Sequence, residues 1–507
     1  MKNPSFFGRI SLYLALIAMV ALLAAGCSSS AVQEQDADPE GGGNLVNLVY
    51  YTIGEPDKDL QLVNDKINEV LSKKIGVTIT YIKVGWQEYE DRLNAMVSAG
   101  PPFDVAFTPN FAAYAKRGAW LRLDDYLSSV GKEMYDIIDP IFWQGVRMED
   151  GGIYAIPTNK ELAVRQQWMY PEELVKKYGI DITKYNTLES LEPLLRMIKQ
   201  KEPDYLPMEL DKDSQNFFAS YGYEYITDKQ LPLMVHSYTG SKVVNIFETK
   251  EARQVLNTLR RYYKAGYINE DAALRENQEL KRGAKVFWKA SGGGPLSENS
   301  WSKDRGYKIV ANPIMPELVT TESVRGGIMA VSSDTKHPVE SVKFLNLLNT
   351  DPEVRNLFNY GIEGVHYVLD KNGQVVLLPP KDENGQPVPD ASPTYAGVTY
   401  TQGNWFILKT MGGPNPDPLD KWEQYRASNA RAIKSSVLGF TPDLSMMPIQ
   451  LQNIEMVWQK YYPSLMTGSV DVGTELPKFN QELRQAGLDE VRAEVQKQLD
   501  AWRRNQK

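Results

Sequence analysis

Cysteine occurs once and histidine three times in a chain of 507 residues. A single cysteine closes no internal disulfide, and a thiolate metal centre would need ligands of other kinds. His236, His337 and His366 stand far apart, without the HExxH or paired spacing that zinc requires. The chain has no GxSxG elbow for a serine nucleophile, and Gly292-Gly293-Gly294 lacks the Gly-Lys-Ser/Thr of a phosphate loop. Asp211-Lys212-Asp213-Ser214-Gln215 copies the start of a calcium loop. Asn216 and Gly222 then stand where that loop needs Gly and Glu. Basic charge is scarce as well: 56 Lys+Arg against 64 Asp+Glu leave a net charge of −8, the wrong sign for a nucleic-acid footprint. No apolar run after residue 25 is long enough to span a bilayer, which excludes a polytopic membrane protein.

What is present starts at the N-terminus. Lys2 and Arg9 precede an apolar run from Ile10 to Ala25, interrupted only by Ser11, which is the pattern of an export signal. The run ends Leu23-Ala24-Ala25-Gly26-Cys27, small residues before the sole cysteine. This resembles a bacterial lipobox, with cleavage after residue 26 and a lipid on Cys27, although the usual Leu stands one residue early. The alternative is a plain secretory signal with an incidental cysteine. Residues 27–43 hold almost no large apolar side chain and end in three glycines, so they read as a flexible tether.

From Asn44 onward the pattern is strand, helix, strand, helix, strand. Leu45 to Tyr50 reads as a buried strand, and Leu60, Val63, Ile67, Val70 and Leu71 fall at helical spacing before a stop at Gly76. Val77 to Val84 is rich in β-branched residues; a helix through Leu93, Met96 and Val97 and a strand from Phe103 to Phe107 follow. That alternation predicts an α/β fold with a parallel sheet, whose ligands sit at the carboxyl ends of the strands, near Tyr51 to Pro56 and Thr108 to Phe111. Later segments predict helices over 189–199, 251–266 and 339–348, a strand at 285–288, a strand at 327–332, and a helix N-cap at Asp351-Pro352. Asn372-Gly373 and Asn384-Gly385 are hairpin turns, and Leu488, Val491, Val495, Leu499 and Trp502 keep one face of a last helix.

The chain holds 10 Trp and 28 Tyr, and Tyr51, Trp86, Trp168, Tyr170, Trp288, Trp301 and Trp405 fall near predicted edges or turns. Sugar rings present an apolar C–H face ringed by hydroxyls, which aromatic platforms and polar side chains bind together. For each ring, a place in the core is the rival reading. Paired carboxylates for glycoside hydrolysis meet in space rather than in sequence, so that chemistry stays open.

Lipobox, tether and a βαβαβ start together resemble the substrate-binding lipoproteins of ABC importers, specifically the family 1 extracellular solute-binding proteins of the carbohydrate class. Leu93 to Gly100 with Phe103-Asp104-Val105, Gly151 to Pro157, and Gly327-Ile328-Met329-Ala330-Val331-Ser332 through Lys343-Phe344-Leu345 carry the likeness. Asn359 to Tyr367 resembles the NYGIEG motif of the long LplA/YtcQ-like branch, and residues from about 438 resemble that branch's C-terminal domain of unknown function. The resemblance implies a periplasmic-binding-protein-like type II fold: two α/β lobes joined by a hinge, a helical C-terminal extension and no catalysis. It implies lobes of about 44–158 plus 282–326 and 159–281 plus 327–507, with crossings near Pro157, Lys281 and Gly326. Carried over residue by residue, the ligand contacts are Tyr51, Glu55, Thr108, Asn110, Asn159, Trp168, Tyr170, Trp301, Tyr360, Glu363, His366, Asn404 and Trp405. Alginate-type relatives carry a DPxGNGxxDE calcium loop; here that stretch reads Lys199 to Pro207 without Gly-Asn-Gly, so no metal and no cofactor is expected. The implied protein is a monomer anchored by lipid on the outer face of a Gram-positive cell membrane, handing an oligosaccharide to ABC importer permease subunits, with no nucleic-acid partner. A peptide receptor of the same importer class, or a surface glycoside hydrolase or lyase, is the alternative.

Overall fold

The computed structural model describes residues 45–506 apart from 100–101, 164, 215–216, 228–229, 277–283 and 389–390. The expected leader, tether and Cys27 therefore lie outside the described residues. The strands that position the site are, in chain order, β1 (Val46–Ile53), β2 (Val77–Val84), β3 (Val105–Phe107), β4 (Ile156–Pro157), β5 (Arg165–Pro171) and β6 (Leu206–Met208). They continue with β7 (Val286–Gly293), β8 (Ile309–Pro313), β9 (Leu318–Val319), β10 (Ile328–Val331) and β11 (Ile433–Lys434).

One sheet runs β2-β1-β3-β10-β4. β1 pairs in parallel with β2 and β3, while β10 runs antiparallel to both β3 and β4. The crossovers are the helices that the 3.6-residue pattern marks. The helix Leu60–Ile75 buries Val63, Ile67, Val70 and Leu71 against the sheet. It ends where Gly76 adopts a left-handed φ of 69° and its N–H caps Ser72 O. Asp351 accepts from the N–H groups of Glu353 and Val354, starting the helix Pro352–Tyr360 with proline in its first turn.

A second sheet runs β8-β5-β7-β6, with β5 antiparallel to both neighbours and β6 parallel to β7. Each sheet has its own apolar core. The first gathers Leu48, Val105, Ile328, Phe344 and Phe358. The second gathers Trp168, Trp288 and Leu256 together with Ile454, Phe479, Val491 and Val495 of the last three helices. The C-terminal helices Pro448–Met466, Val472–Gln485 and Leu488–Asn505 thus belong to the second core.

This arrangement corrects the expected lobe membership. Segment 282–326 carries β7 and β8, which pair with β5 in the second sheet, and 327–360 carries β10 and two helices of the first core. The cause is pairing: hydrophobic pattern marks a strand without saying which sheet it joins, and that is settled by neighbours far away in sequence. Lys281 lies outside the described residues, but Ala272 before it and Phe287 after it both sit in the second core.

The chain passes from the first sheet to the second between β4 and β5. It returns between β8 and β10 and leaves again after residue 395, and β9 and β11 pair in parallel within this crossing zone. The passages touch at Gly327, where a Cβ would stand 2.1 Å from Tyr400 O and 3.0 Å from Thr158 Oγ1. No side chain fits between two backbones at that distance. Gly327→Ala is therefore expected to lower stability by about 1–3 kcal/mol through forced backbone displacement. Urea unfolding should register this as a lower midpoint at unchanged slope; an unmoved midpoint would count against the close approach.

Candidate functional site

The carboxyl ends of β1 to β3 point toward the crossing passages. Glu55, just past β1, is exposed and its carboxylate lies against Gly85 at the end of β2. The next residue, Trp86, is 49% exposed and stacks on Tyr400 with ring centroids 5.8 Å apart and planes 25° off parallel. Beyond β3, Asn110 is exposed and its amide donates to Glu90. Tyr51 and Thr108 are buried behind this rim. Among the described residues their hydroxyls have no partner, and the Tyr51 ring stacks on Tyr89 at 5.2 Å. Burial raises the pKa of Tyr51, so it is a neutral donor at physiological pH.

The crossing passages are laced together. Asn159 N–H donates to Gly403 O at 3.0 Å, and Trp405 N–H donates to Asn159 O at 2.9 Å. Asn404 caps the turn Trp405–Ile407 by accepting from Phe406 N–H, and its amide donates to Asn349 O at 3.0 Å. The indole N–H of Trp405 donates to Thr399 O at 2.8 Å, and the Arg355 guanidinium donates to the same oxygen at 2.9 Å. Trp405 is thus held by its polar edge while its ring remains partly exposed.

Around that ring lies an aromatic patch. Trp422 stands 6.4 Å from Trp405 and 5.7 Å from Tyr425, with Phe406 edge-on at 6.2 Å. The helix Lys421–Arg431 presents Trp422 and Tyr425 one turn apart, and its far end is fixed by Glu317, which accepts from Ser428 at 2.8 Å and pairs with Arg431 and Arg165. From the second sheet comes Leu296, packed on this patch at φ 63°, the one non-glycine residue with positive φ among those described. Held strain of this kind concentrates where a side chain must be aimed. Trp301 lies over Gly293 beside it.

Glu161 supplies charge. It is partly buried against Gly294, where a Cβ would come within 2.8 Å of Oε2, so glycine admits the carboxylate. Among the described residues no donor reaches that carboxylate, and burial raises its pKa while Lys160 and Lys421 oppose the shift. Lys160 is itself buried, its ammonium satisfied by Glu161 O and Ser323 O at 3.1 Å each, and burial lowers its pKa. A carboxylate with free lone pairs beside flat apolar faces suits a ligand of hydroxyl donors and C–H faces.

Of the sequence-expected residues, the structure brings Asn159, Asn404 and Trp405 together at the crossing, with Tyr360 packed on the patch and donating to Lys409 O at 2.7 Å. Glu55 and Asn110 line the rim of the first sheet, and Glu363 is exposed beyond it. Two expectations fail. Trp168 and Tyr170 point into the second core at 2% and 0% exposure, against Trp288 and Phe287, because β5 is central in its sheet. His366 is also interior, accepting from Ile362 N–H at 2.9 Å with its other nitrogen 3.3 Å from Asp59. Sequence reasoning missed Glu161, Leu296, Tyr400, Trp422 and Tyr425; the i, i+3 aromatic spacing of the last two was the available signal. Among the described residues no cluster of three or more His, Cys, Asp or Glu could hold a metal ion, and no helix is long and apolar enough to cross a membrane.

Residues 66–363 match the family model described as bacterial extracellular solute-binding protein, and residues 436–504 match a domain of unknown function, DUF3502. A carbohydrate ABC transporter substrate-binding protein of Streptococcus pneumoniae serotype 4 is 28% identical over 499 residues, covering 97% of both chains. The crystal structure of the N-glycan transport solute binding protein NgtS from Streptococcus pneumoniae superposes with a TM-score of 0.80 at 27% identity, covering 91% of this chain and 100% of that one. The same protein in complex with Man5GlcNAc gives a TM-score of 0.69 at 26% identity, covering 91% and 99%. The fold is thus the type II periplasmic-binding-protein-like arrangement of two α/β lobes joined by a hinge, with a helical C-terminal region.

Glu161 makes a stability prediction. Its folded pKa lies above the unfolded value of 4.5, so the folded state holds the proton more tightly and stability falls as pH rises through that window. Glu161→Gln carries no such penalty. It should match the wild type near about pH 4 and exceed it near about pH 8 in urea unfolding. An equal difference at both pH values would mean the carboxylate is not held unpaired.

Proposed function

The chain belongs to the bacterial extracellular solute-binding proteins, and from that premise we propose that it captures an oligosaccharide outside the cell and delivers it to an ABC importer. The observation that carries the reading is the pairing of the partly exposed rings of Trp86, Tyr400 and Trp405 with an unpaired carboxylate where the chain crosses between sheets. Trp86 with Tyr400 offers a platform from the first lobe. Trp405 offers another, backed by the buried Trp422 and Tyr425, with Glu161, Glu55 and Asn110 to bind hydroxyls. Two relatives, a carbohydrate ABC transporter substrate-binding protein and an N-glycan transport solute binding protein, support the same substrate class.

In this reading the first lobe is 45–157 with 327–400 and the second is 165–318 with 435–506. Ligand bound at the crossing bridges both lobes, and contacts available only when they approach drive closure, because a ligand shifts an equilibrium only by its differential affinity for the two states. The closed form is what the permease subunits would receive. Cys27, cleaved and acylated, would tether the receptor to the outer face of the membrane. A neutral glycan is preferred over a polyuronate, since the unpaired charge at the crossing is a carboxylate and would repel acidic sugars.

Calorimetric titration with Man5GlcNAc tests this. Trp405→Ala should weaken binding at least about tenfold, equal to about 1.4 kcal/mol, with no comparable loss of thermal stability. Unchanged affinity would remove Trp405 from the site, and binding of peptides without any glycan would overturn the substrate class.

A further inference from the structure

A cavity of about 730 Å³ lies away from the crossing, between the first core and the C-terminal helices. One wall is the helices Lys132–Ile137 and Pro140–Val146 with the turn after them; the other is residues 438–443 and the last helix, Leu488–Asn505. The walls are held against each other by specific contacts. A Cβ on Gly439 would stand 2.8 Å from Gln144 O, so the two backbones nearly touch there. Arg325 donates to Gly145 O at 2.8 Å and to Thr441, with its guanidinium 5.0 Å over the Phe111 ring. Lys116 reaches Glu149 at 3.8 Å and Asp443 at 3.7 Å.

The lining has a definite chemistry. Tyr135 and Trp143 form a tilted pair 4.9 Å apart on one wall, and Trp502 faces from the other, edge-on to Phe440 at 5.6 Å. Trp143 is buried and its indole N–H donates to Tyr135 O at 3.2 Å, so it backs the half-exposed Tyr135 ring, which is the face this wall offers. The side-chain amides of Gln144 and Asn505 make no hydrogen bond among the described residues, leaving both donors and acceptors for a ligand. Asp136 pairs with Lys132 at 2.6 Å, and Glu149 and Asp443 pair with Lys116. The lining's one guanidinium, Arg147, is engaged by Gly151 O and by Asp124 at 3.6 Å, so the charges of the lining are largely answered within the protein. The accessible faces of Tyr135 and Trp502, free amides and carboxylates already answered by Lys116 and Lys132 suit a neutral polyhydroxylated ring.

We propose that this cavity is a second carbohydrate site, binding a neutral saccharide independently of the residues at the crossing. It rests on the reading that the protein captures glycans, and it deepens that reading by giving the C-terminal region a share in recognition. No lining residue belongs to the crossing site, so the two can be removed separately.

The experiment is calorimetric titration of the full chain with Man5GlcNAc, with melting curves on every variant. Two binding events are expected. Tyr135→Ala and Asn505→Trp should each weaken one of them at least about tenfold, and Trp405→Ala should weaken the other. Asn505→Trp fills the cavity from the exposed end of the last helix, so it tests the site even if Tyr135→Ala unfolds the protein. A single event lost with Trp405→Ala and untouched by Asn505→Trp overturns the second site and leaves the first. One event lost only with Asn505→Trp supports the cavity and overturns the crossing site. Absence of glycan binding of any kind overturns both.

Discussion

Arg355 is wholly buried in the first core, and among the described residues no carboxylate answers its charge. Burial pulls its pKa down to about 10, still high enough to keep the guanidinium protonated at neutral pH. Its charge is met by the Thr399 carbonyl, more distantly by Asn359 Oδ1 at 3.4 Å, and by a surround of tyrosines. Unpaired charge of this kind is costly unless dipoles are fixed around it, so the segment it binds is pinned in turn. That segment, 399–405, carries Tyr400, whose carbonyl closes on Gly327, and Asn404 and Trp405, which bond the passage at Asn159. The placement of the aromatic patch therefore traces back to one cation under the first sheet.

The proposed closure requires recognition groups to be held firmly while the two lobes remain able to move. The hydrogen bonds supply the first requirement: each indole in the patch is tied by its N–H, Trp405 to Thr399 O and Trp422 to Leu408 O at 2.6 Å. The second follows from having two cores joined by short extended passages, so rotation changes few backbone hydrogen bonds. DUF3502, matched at 436–504, is built into the second core rather than appended to it, because Ile454, Phe479 and Val491 share a cluster with Trp288.

Much of the first sheet was legible because its elements are local. The pattern of Leu60 to Leu71 with Gly76, the β-branched run of β2, and the Asp351-Pro352 cap each settle their structure within a few residues. Lobe membership after residue 282 was not legible, since β7 and β8 read alike for either sheet until their partner β5 is known. The same limit explains Trp168 and Tyr170: alternation along a central strand gives no outward face when both sides are covered. Glu161 was invisible for a related reason. Its isolation depends on Gly294, more than a hundred residues away, and no local motif announces it.

The Trp86–Tyr400 stack has a consequence for selectivity. Each ring already covers one face of the other at 5.8 Å, so the protein carries its own occupant for that surface. A guest can use the shielded face only by outbidding a tyrosine, whereas the outer face of Trp86 is open to anything flat. The platform is then two-sided: one side greets, the other discriminates. In the proposed site a small ring settles for the first, and only a ligand with further contacts at the crossing recovers what it takes to part the pair.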